Sequence, residues 1–321
     1  ARQERKTGPG YHGFETRFDP SITLEEDLLR RDLTINSIAM DGSGNYIDPY
    51  GGINDLKNKV LRHTSEAFSE VPLRVLRVAR FSARFPDFSI DPGTLELMKK
   101  IVKNGELDEL PKERIWLELH KGLSEKNPMH MLKALYLCDA TEYNPIRCYF
   151  DSFFVREMAD EGFENSLEWR ILESEEKILS TEEKFLIVMK DVSFIDKEVA
   201  LQLKIPLNYY SMAKRITIFD VHLSSKTLLS DPAKILRLIQ ETGYEREKHS
   251  FEMQCILNVL QLEAKHTSFN VNENIKRLKR AANFISVLNF KELTKDLEKS
   301  EIPDVVKNAK IQAIKKSLDS L

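Results

Sequence analysis

Pro72-Leu73-Arg74-Val75-Leu76-Arg77-Val78-Ala79-Arg80-Phe81-Ser82-Ala83-Arg84 sets four arginines at intervals of 3, 3 and 4 among small and apolar residues. On a helix this spacing puts Arg74, Arg77, Arg80 and Arg84 on one broad face. Pro72, with φ preset and no N–H to lose, sits well in a first turn, so the spacing predicts a helix over 73–84. A guanidinium is a planar fork of five donors that suits phosphates and base edges. Two readings of the arginine face stand at this point: a pocket for a nucleotide, or the solvated flank of an amphipathic helix.

Upstream, Arg30-Arg31-Asp32 leads into Leu33-Thr34-Ile35-Asn36-Ser37-Ile38-Ala39-Met40, a β-rich run that predicts a strand. Asp41-Gly42-Ser43-Gly44 makes a turn, and Asn45-Tyr46-Ile47-Asp48 returns as a second short strand that ends at Pro49-Tyr50-Gly51-Gly52. From about residue 53 the pattern is helical, with Thr64 or Ser65 as a cap for a short helix. Residues 94–104, 112–123 and 128–138 read as further helices. Beyond 150 the chain is almost all helix-like, with breakers at Pro206, Pro232 and Pro303 and no repeat of solenoid length. The fold class is therefore α+β: a small α/β head over 1–62, a helical neck over 63–150, and an all-helical body and tail over 151–321.

The 321 residues suffice for two or three structural units. With 41% hydrophobic residues, 12 Gly and 12 Pro, collagen-like and disordered classes are excluded. No run of 18 apolar residues and no opening secretory pattern occur, so no membrane partner is expected. Three cysteines (Cys138, Cys148 and Cys255), far apart and without CxxC spacing, argue against a disulfide framework or a zinc site. A cytoplasmic protein is expected. The net charge of −3 hides an asymmetry: residues 151–200 hold 6 basic and 14 acidic side chains, whereas 201–321 hold 20 and 14. A basic C-terminal third permits polyanion binding, or simply gives solvated helix faces.

Four ordered segments carry a resemblance. They are Arg30-Arg31-Asp32-Leu33-Thr34-Ile35-Asn36, then Ile47-Asp48-Pro49-Tyr50-Gly51-Gly52 with Asp55-Leu56, then Glu70-Val71-Pro72-Leu73-Arg74 through Phe81, then Leu110-Pro111-Lys112-Glu113-Arg114 with Glu118. In this order and spacing they resemble the class II tRNA nucleotidyltransferases, the CCA-adding enzymes and their poly(A) polymerase relatives. Arg5-Lys6-Thr7-Gly8-Pro9-Gly10-Tyr11 is similar to the bacterial CCA-adding branch. The resemblance covers residues 1 to about 140.

It implies addition of C and A to the tRNA 3′ end from CTP and ATP, with release of pyrophosphate and a need for Mg²⁺. It implies that Arg31 and Asp32 handle the ribose and triphosphate, with Asp32 accepting from a 2′-hydroxyl, and that Arg74 addresses the base edge with Arg77 in support. Arg114 and Glu118 would brace the neck helices, as a ligand-facing motif or as a structural ion pair. Lys276, Arg277, Lys279 and Arg280, with Lys307, Lys310, Lys315 and Lys316, would face the backbone of the tRNA acceptor arm.

The sequence departs from the family in two places. The family's Gly-Gly-x-Val-Arg-Asp segment and Asp-x-Asp pair do not occur; Glu106-Leu107-Asp108 is the nearest substitute and falls between helices. Catalytic carboxylates and Mg²⁺ ligands are thus expected outside this sequence, for instance on a second polypeptide. Where the family has Glu-Asp-x-x-Arg, this chain has Glu70-Val71-Pro72-Leu73-Arg74, so the base pocket is expected to involve Glu70 and Val71. Val71 cannot accept from a base amino group, a loss of about 1–3 kcal/mol. A non-catalytic tRNA-binding relative and a poly(A) polymerase remain alternatives. No histidine is followed by aspartate, so the phosphohydrolase found in some relatives is not expected.

Overall fold

The computed structural model describes residues 2–6, 14–18, 21–149, 179–188, 197–212, 214, 229–243 and 271–319, with Met158, Trp169 and Leu172. The chain divides into two compact units, one of Ala1–Lys190 with Ile195–Tyr209, the other of Asp191–Phe194 with Tyr210–Leu321.

The first unit opens with an antiparallel pair, β1 (Arg2–Lys6) and β2 (Phe14–Phe18), in which Glu4 faces Thr16. Helix α1 (Leu24–Leu29) follows, held by a capping box in which Thr23 and Glu26 exchange side-chain and backbone bonds. The expected strand over 33–40 reduces to β3 (Ala39–Met40), paired antiparallel with β4 (Tyr46–Ile47). Residues Thr34–Asn36 form a turn of 3₁₀ helix instead. The reason is local: Asp32 Oδ1 accepts from Leu33 N at 3.0 Å, and Ser37 Oγ donates to the Leu28 or Leu33 carbonyl, each at 3.0 Å. Such side-chain bonds divert the backbone from a ladder despite β-branched residues. The turn itself forms as read, with Asp41 Oδ1 accepting from Ser43 N and Asn45 N.

Asp48 then caps α2 (Gly52–Asn58), its two oxygens accepting from Gly52 N at 2.7 Å and Ile53 N at 2.8 Å. Gly51 holds a φ of 75°, where glycine is favoured. Lys59, also left-handed at 57°, ends the helix and starts β5 (Val60–Leu61), which pairs in parallel with β6 (Ser89–Ile90). This pair departs from the all-helical expectation after residue 53; strands two residues long leave no period to read. Between them runs α3 (Leu73–Arg84), so β5, α3 and β6 form a short crossover.

Helix α3 matches the predicted 73–84. It buries Val75, Leu76, Val78, Ala79, Phe81, Ser82 and Ala83, and packs on α5 (Lys112–Ser124) and α6 (Pro128–Leu137). Leucine- or phenylalanine-sized side chains buried this way stabilise by about 1.5–3 kcal/mol each. Helix α4 (Pro92–Lys103) starts two residues earlier than expected because Asp91 caps it through Thr94 N. Neither Thr64 nor Ser65 caps Glu66–Glu70 through its side chain: Thr64 Oγ1 meets Ser37 Oγ, and Ser65 Oγ donates to the Leu29 carbonyl. Glu106–Asp108 lies between α4 and α5, as read.

Helices Thr181–Val188 and Lys197–Gln202 complete the described part of this unit. Trp116, Phe185 and Tyr209 meet edge to face, with centroids 5.2–5.5 Å apart.

In the second unit, helices Pro232–Glu241, Val271–Ser286 and Ile302–Asp319 close a core of Ile235, Leu236, Leu238, Ile239, Ile275, Leu278, Ala281, Ala282, Ile285 and Ile314. Pro232 and Pro303 stand in the first turns of their helices, so these expected breakers are helix starts. No described helix is long and apolar enough to cross a membrane. Cys138 is a buried free thiol that burial pushes up to about 12, and Cys148 is an exposed free thiol; Cys255 lies outside the described residues.

Candidate functional site

Arg31, Asp32, Asn36, Val71, Arg74, Arg77 and Phe81 line one cleft of about 520 Å³. Its wall is the loop after α1, the 3₁₀ turn of Thr34–Asn36, and the first two turns of α3. Asp32 is the anchor. Oδ1 accepts from Leu33 N and from Asn36 Nδ2 at 2.9 Å, and Oδ2 accepts from Arg77 Nε at 2.6 Å. Burial alone would raise the carboxyl's pKa. The neighbouring Arg77 guanidinium, then the Asn36 amide and the Leu33 N–H, outweigh burial and hold it below the usual carboxylate value.

Arg74 is fixed in a different way. Its two terminal nitrogens donate to backbone carbonyls, Nη1 to Ala67 and Nη2 to Arg30. Arg31 donates Nη1 to the Asn36 carbonyl at 2.8 Å and lies beside Asp27. Three arginines and one carboxylate leave the cleft with two formal positive charges, suited to an anion such as a triphosphate.

The four arginines of α3 do not act as one face. Arg74 and Arg77 line the cleft, whereas Arg80 turns to α5, with Nε 3.3 Å from Glu118 Oε2, and lies over the Phe81 ring. Arg84 lies over Phe85. Glu118 is buried and also meets Lys121 Nζ at 3.4 Å; Oε2 accepts no aligned hydrogen bond, so its contact with Arg80 is ionic rather than directional. Arg114 is exposed on the same helix. Arg114 and Glu118 are thus outside the cleft lining.

Val71 lies on the cleft at the end of the 3₁₀ turn Glu66–Glu70, and Glu70 is exposed and not part of the lining. Asn36 and Phe81 also line the cleft, and nothing in the sequence alone singles them out within their segments. Asn36 completes the bonding of Asp32, which its place four residues after a buried aspartate could have signalled. Phe81, at i+4 from Arg77 on the helix, is the apolar floor.

The described residues do not fit a magnesium site. Among them no three His, Cys, Asp or Glu side chains converge, and the cleft's one carboxylate is taken up by Arg77, Asn36 and Leu33.

In the second unit, Lys276 is exposed and Lys279 and Arg280 are half-buried. Arg277 donates Nη1 to the Leu229 carbonyl at 3.3 Å and lies 3.5 Å from Glu273, so it ties its helix to the segment before Asp231. Lys307, Lys315 and Lys316 are exposed. Lys310 is not a solvated side chain: it is 9% exposed and lies over the Phe290 ring.

Residues 2–62 match the family described as the poly(A) polymerase head domain, and residues 87–145 match the probable RNA and SrmB-binding site of polymerase A. The multifunctional CCA protein of Azoarcus sp. (strain BH72) is 58% identical over 140 residues, 44% of this chain and 34% of that protein. The CCA-adding enzyme of Coxiella burnetii (strain RSA 331) is likewise 58% identical over 140 residues, 37% of its length. The chain thus spans about a third of the curated relatives it matches. A solved CCA-adding enzyme in its apo form II shares the fold at a TM-score of 0.61 and 23% identity, with all of this chain and 76% of that one covered. A CCA-adding enzyme in complex with ATP aligns at 0.61 and 21% identity, over 91% of this chain and 68% of that one. Over residues 2–62 and 87–145 the chain is therefore similar to poly(A) polymerases and CCA-adding enzymes.

Proposed function

We propose that this chain carries the nucleotide-binding part of a tRNA nucleotidyltransferase that adds C and A to a tRNA 3′ end from CTP and ATP, releasing pyrophosphate. The observation that carries the reading is Arg74 tethered to the Ala67 and Arg30 carbonyls beside the Arg77–Asp32 pair, both on one cleft. Similar proteins over the same residues are named CCA-adding enzymes.

In this reading Arg31 and Arg77 hold the triphosphate. Arg77 spends Nε on Asp32 and makes no other hydrogen bond to a described residue, so its remaining N–H groups serve the ligand. Three of about four acceptor positions on Asp32 are taken, which leaves about one for a ribose hydroxyl. Arg74, fixed by two carbonyls, orients the base with little entropy left to lose. Residues 1–62 form the head, 63–150 the neck, and 151–321 the body that follows the tRNA backbone, with Lys276, Arg277, Lys279 and Arg280 as its basic contacts. The family generally uses Mg²⁺, and we assign its ligands to residues beyond those described. Cytoplasmic location follows from the tRNA substrate.

Calorimetric titration of CTP and ATP tests the reading. Arg74→Ala is expected to weaken both at least tenfold, and Arg74→Lys nearly as much, because an ammonium cannot span two carbonyls. Equal affinity in wild type and Arg74→Ala, with melting curves matched, would overturn it.

A further inference from the structure

The 3₁₀ turn Thr34–Asn36 that walls the cleft is itself gripped by residues outside the cleft lining. Thr34 N donates to the Arg62 carbonyl at 2.9 Å, and Thr34 Oγ1 donates to Asp55 Oδ2 at 2.7 Å. Asp55, on α2, is almost wholly buried. Its other described partner is Arg62, whose Nε lies 3.4 and 3.2 Å from the two carboxylate oxygens. Arg62 is fixed in turn, because its Nη1 donates to Asp91 Oδ2, and Asp91 caps α4 through Thr94 N. Asp91 N also donates to the Leu61 carbonyl at 3.0 Å. One guanidinium thus joins a carboxylate of α2 to the start of α4, and through Asp55 it reaches the turn.

Without that guanidinium, Asp55 would be a buried carboxylate bonded to one hydroxyl, and it would have to draw in water or move toward solvent. There is no slack to absorb either. The turn lies so close to α2 that a Cβ on Gly52 would come within 2.2 Å of the Thr34 carbonyl oxygen. A shift of Asp55 therefore passes to Thr34 and, two residues on, to Asn36. Asn36 donates Nδ2 to Asp32 at 2.9 Å, and its carbonyl accepts from Arg31 at 2.8 Å. Those two bonds orient the cleft's acid and one of its arginines. We infer that Arg62 is a positioning residue for the nucleotide site proposed above, on which reading this rests: through Asp55 and Thr34 it fixes the turn that orients Asp32 and Arg31, without itself touching the nucleotide. A displacement of about 1 Å is enough to spoil a site built from such contacts.

Calorimetric titration of CTP, with melting curves, tests this on Arg62 variants and a control. Arg62→Met is expected to weaken CTP at least about fivefold, and Arg62→Lys less, since an ammonium restores the charge but cannot fork between two carboxylates. Adding Asp55→Asn to Arg62→Met is expected to bring affinity back to within about twofold of wild type, because the amide keeps an acceptor for Thr34 Oγ1 and removes the stranded charge. Leu123→Ala is the control: a cavity in α5, outside the cleft lining, lowers the melting temperature and leaves CTP affinity within about twofold. Unchanged CTP binding in a folded Arg62→Met protein would overturn the inference while leaving the nucleotide site in place. Failure of Asp55→Asn to restore binding would also overturn it, as would equal weakening in Leu123→Ala, which marks a general loss of stability. Failure of the wild type to bind CTP would overturn both the inference and the function it rests on.

Discussion

Gly52→Ala is expected to destabilise the first unit by about 3 kcal/mol or more. A Cβ at this position would lie 2.2 Å from the Thr34 carbonyl oxygen and 2.8 Å from Ile38 Cγ1. The first obstacle is backbone, so it cannot rotate away. Retreat of the Thr34–Asn36 turn would also pull on Thr34 Oγ1, which donates to the buried Asp55 at 2.7 Å, and on Asn36, which supports Asp32. Denaturant melts check the value. Gly42→Ala is the control: nothing lies within 4 Å of a Cβ there, so its effect should stay within about 0.5 kcal/mol. Equal melts for the two variants would show that the α2 contact with the 3₁₀ turn is not as close as described.

Arg77→Met is expected to cost about 2–4 kcal/mol near neutral pH. Breaking a buried ion pair from one side costs about 3–5 kcal/mol, discounted here because Arg77 is about a third exposed. The variant keeps the aliphatic stem over α3 but strands the Asp32 carboxylate with Asn36 and Leu33 N as its only partners. Its pH dependence weakens. In wild type the lowered folded-state pKa of Asp32 contributes stability above the ordinary aspartate value of 3.8, lost as pH falls through the folded value. Without Arg77 only the Asn36 and Leu33 hydrogen bonds oppose burial, so the folded pKa rises towards the ordinary value. The acid-side loss of stability seen in wild type is then smaller. Melts from pH 2 to 7 read both. Parallel curves for wild type and Arg77→Met would mean that the pair does not hold Asp32 ionised.

The helices were legible wherever the apolar period ran for three turns: the reading of 73–84 matches α3, and 112–123 falls one residue short of α5. Proline and aspartate at helix starts account for the remaining boundaries, since Asp91 and Asp231 begin helices that pattern alone places later or interrupts. What could not be read was settled by side-chain bonds to backbone. Leu33-Thr34-Ile35 has strand composition, yet the polar bonds of Asp32 and Ser37 turn it into 3₁₀ helix. At the site, arginine spacing identified the helix face but not its division, because whether Arg80 joins Arg77 depends on Glu118 of a helix some forty residues away. Likewise Asn36 and Phe81 are ordinary residues in sequence and become cleft residues only through their neighbours. Charge counting misplaced Lys310, since a basic tail does not reveal which lysine lies against an aromatic ring.

The central claim is that a nucleotide sits among Arg31, Asp32, Arg74 and Arg77. Hydrogen–deuterium exchange with and without saturating CTP tests it most directly. The account predicts slower exchange in peptides covering 30–37 and 66–77, which include the Leu33 N–H bonded to Asp32 and the Arg74 N–H bonded to the Val71 carbonyl. Peptides of α5 should be unchanged. Protection confined to other segments at saturating CTP, with 30–37 and 66–77 unaltered, would contradict it.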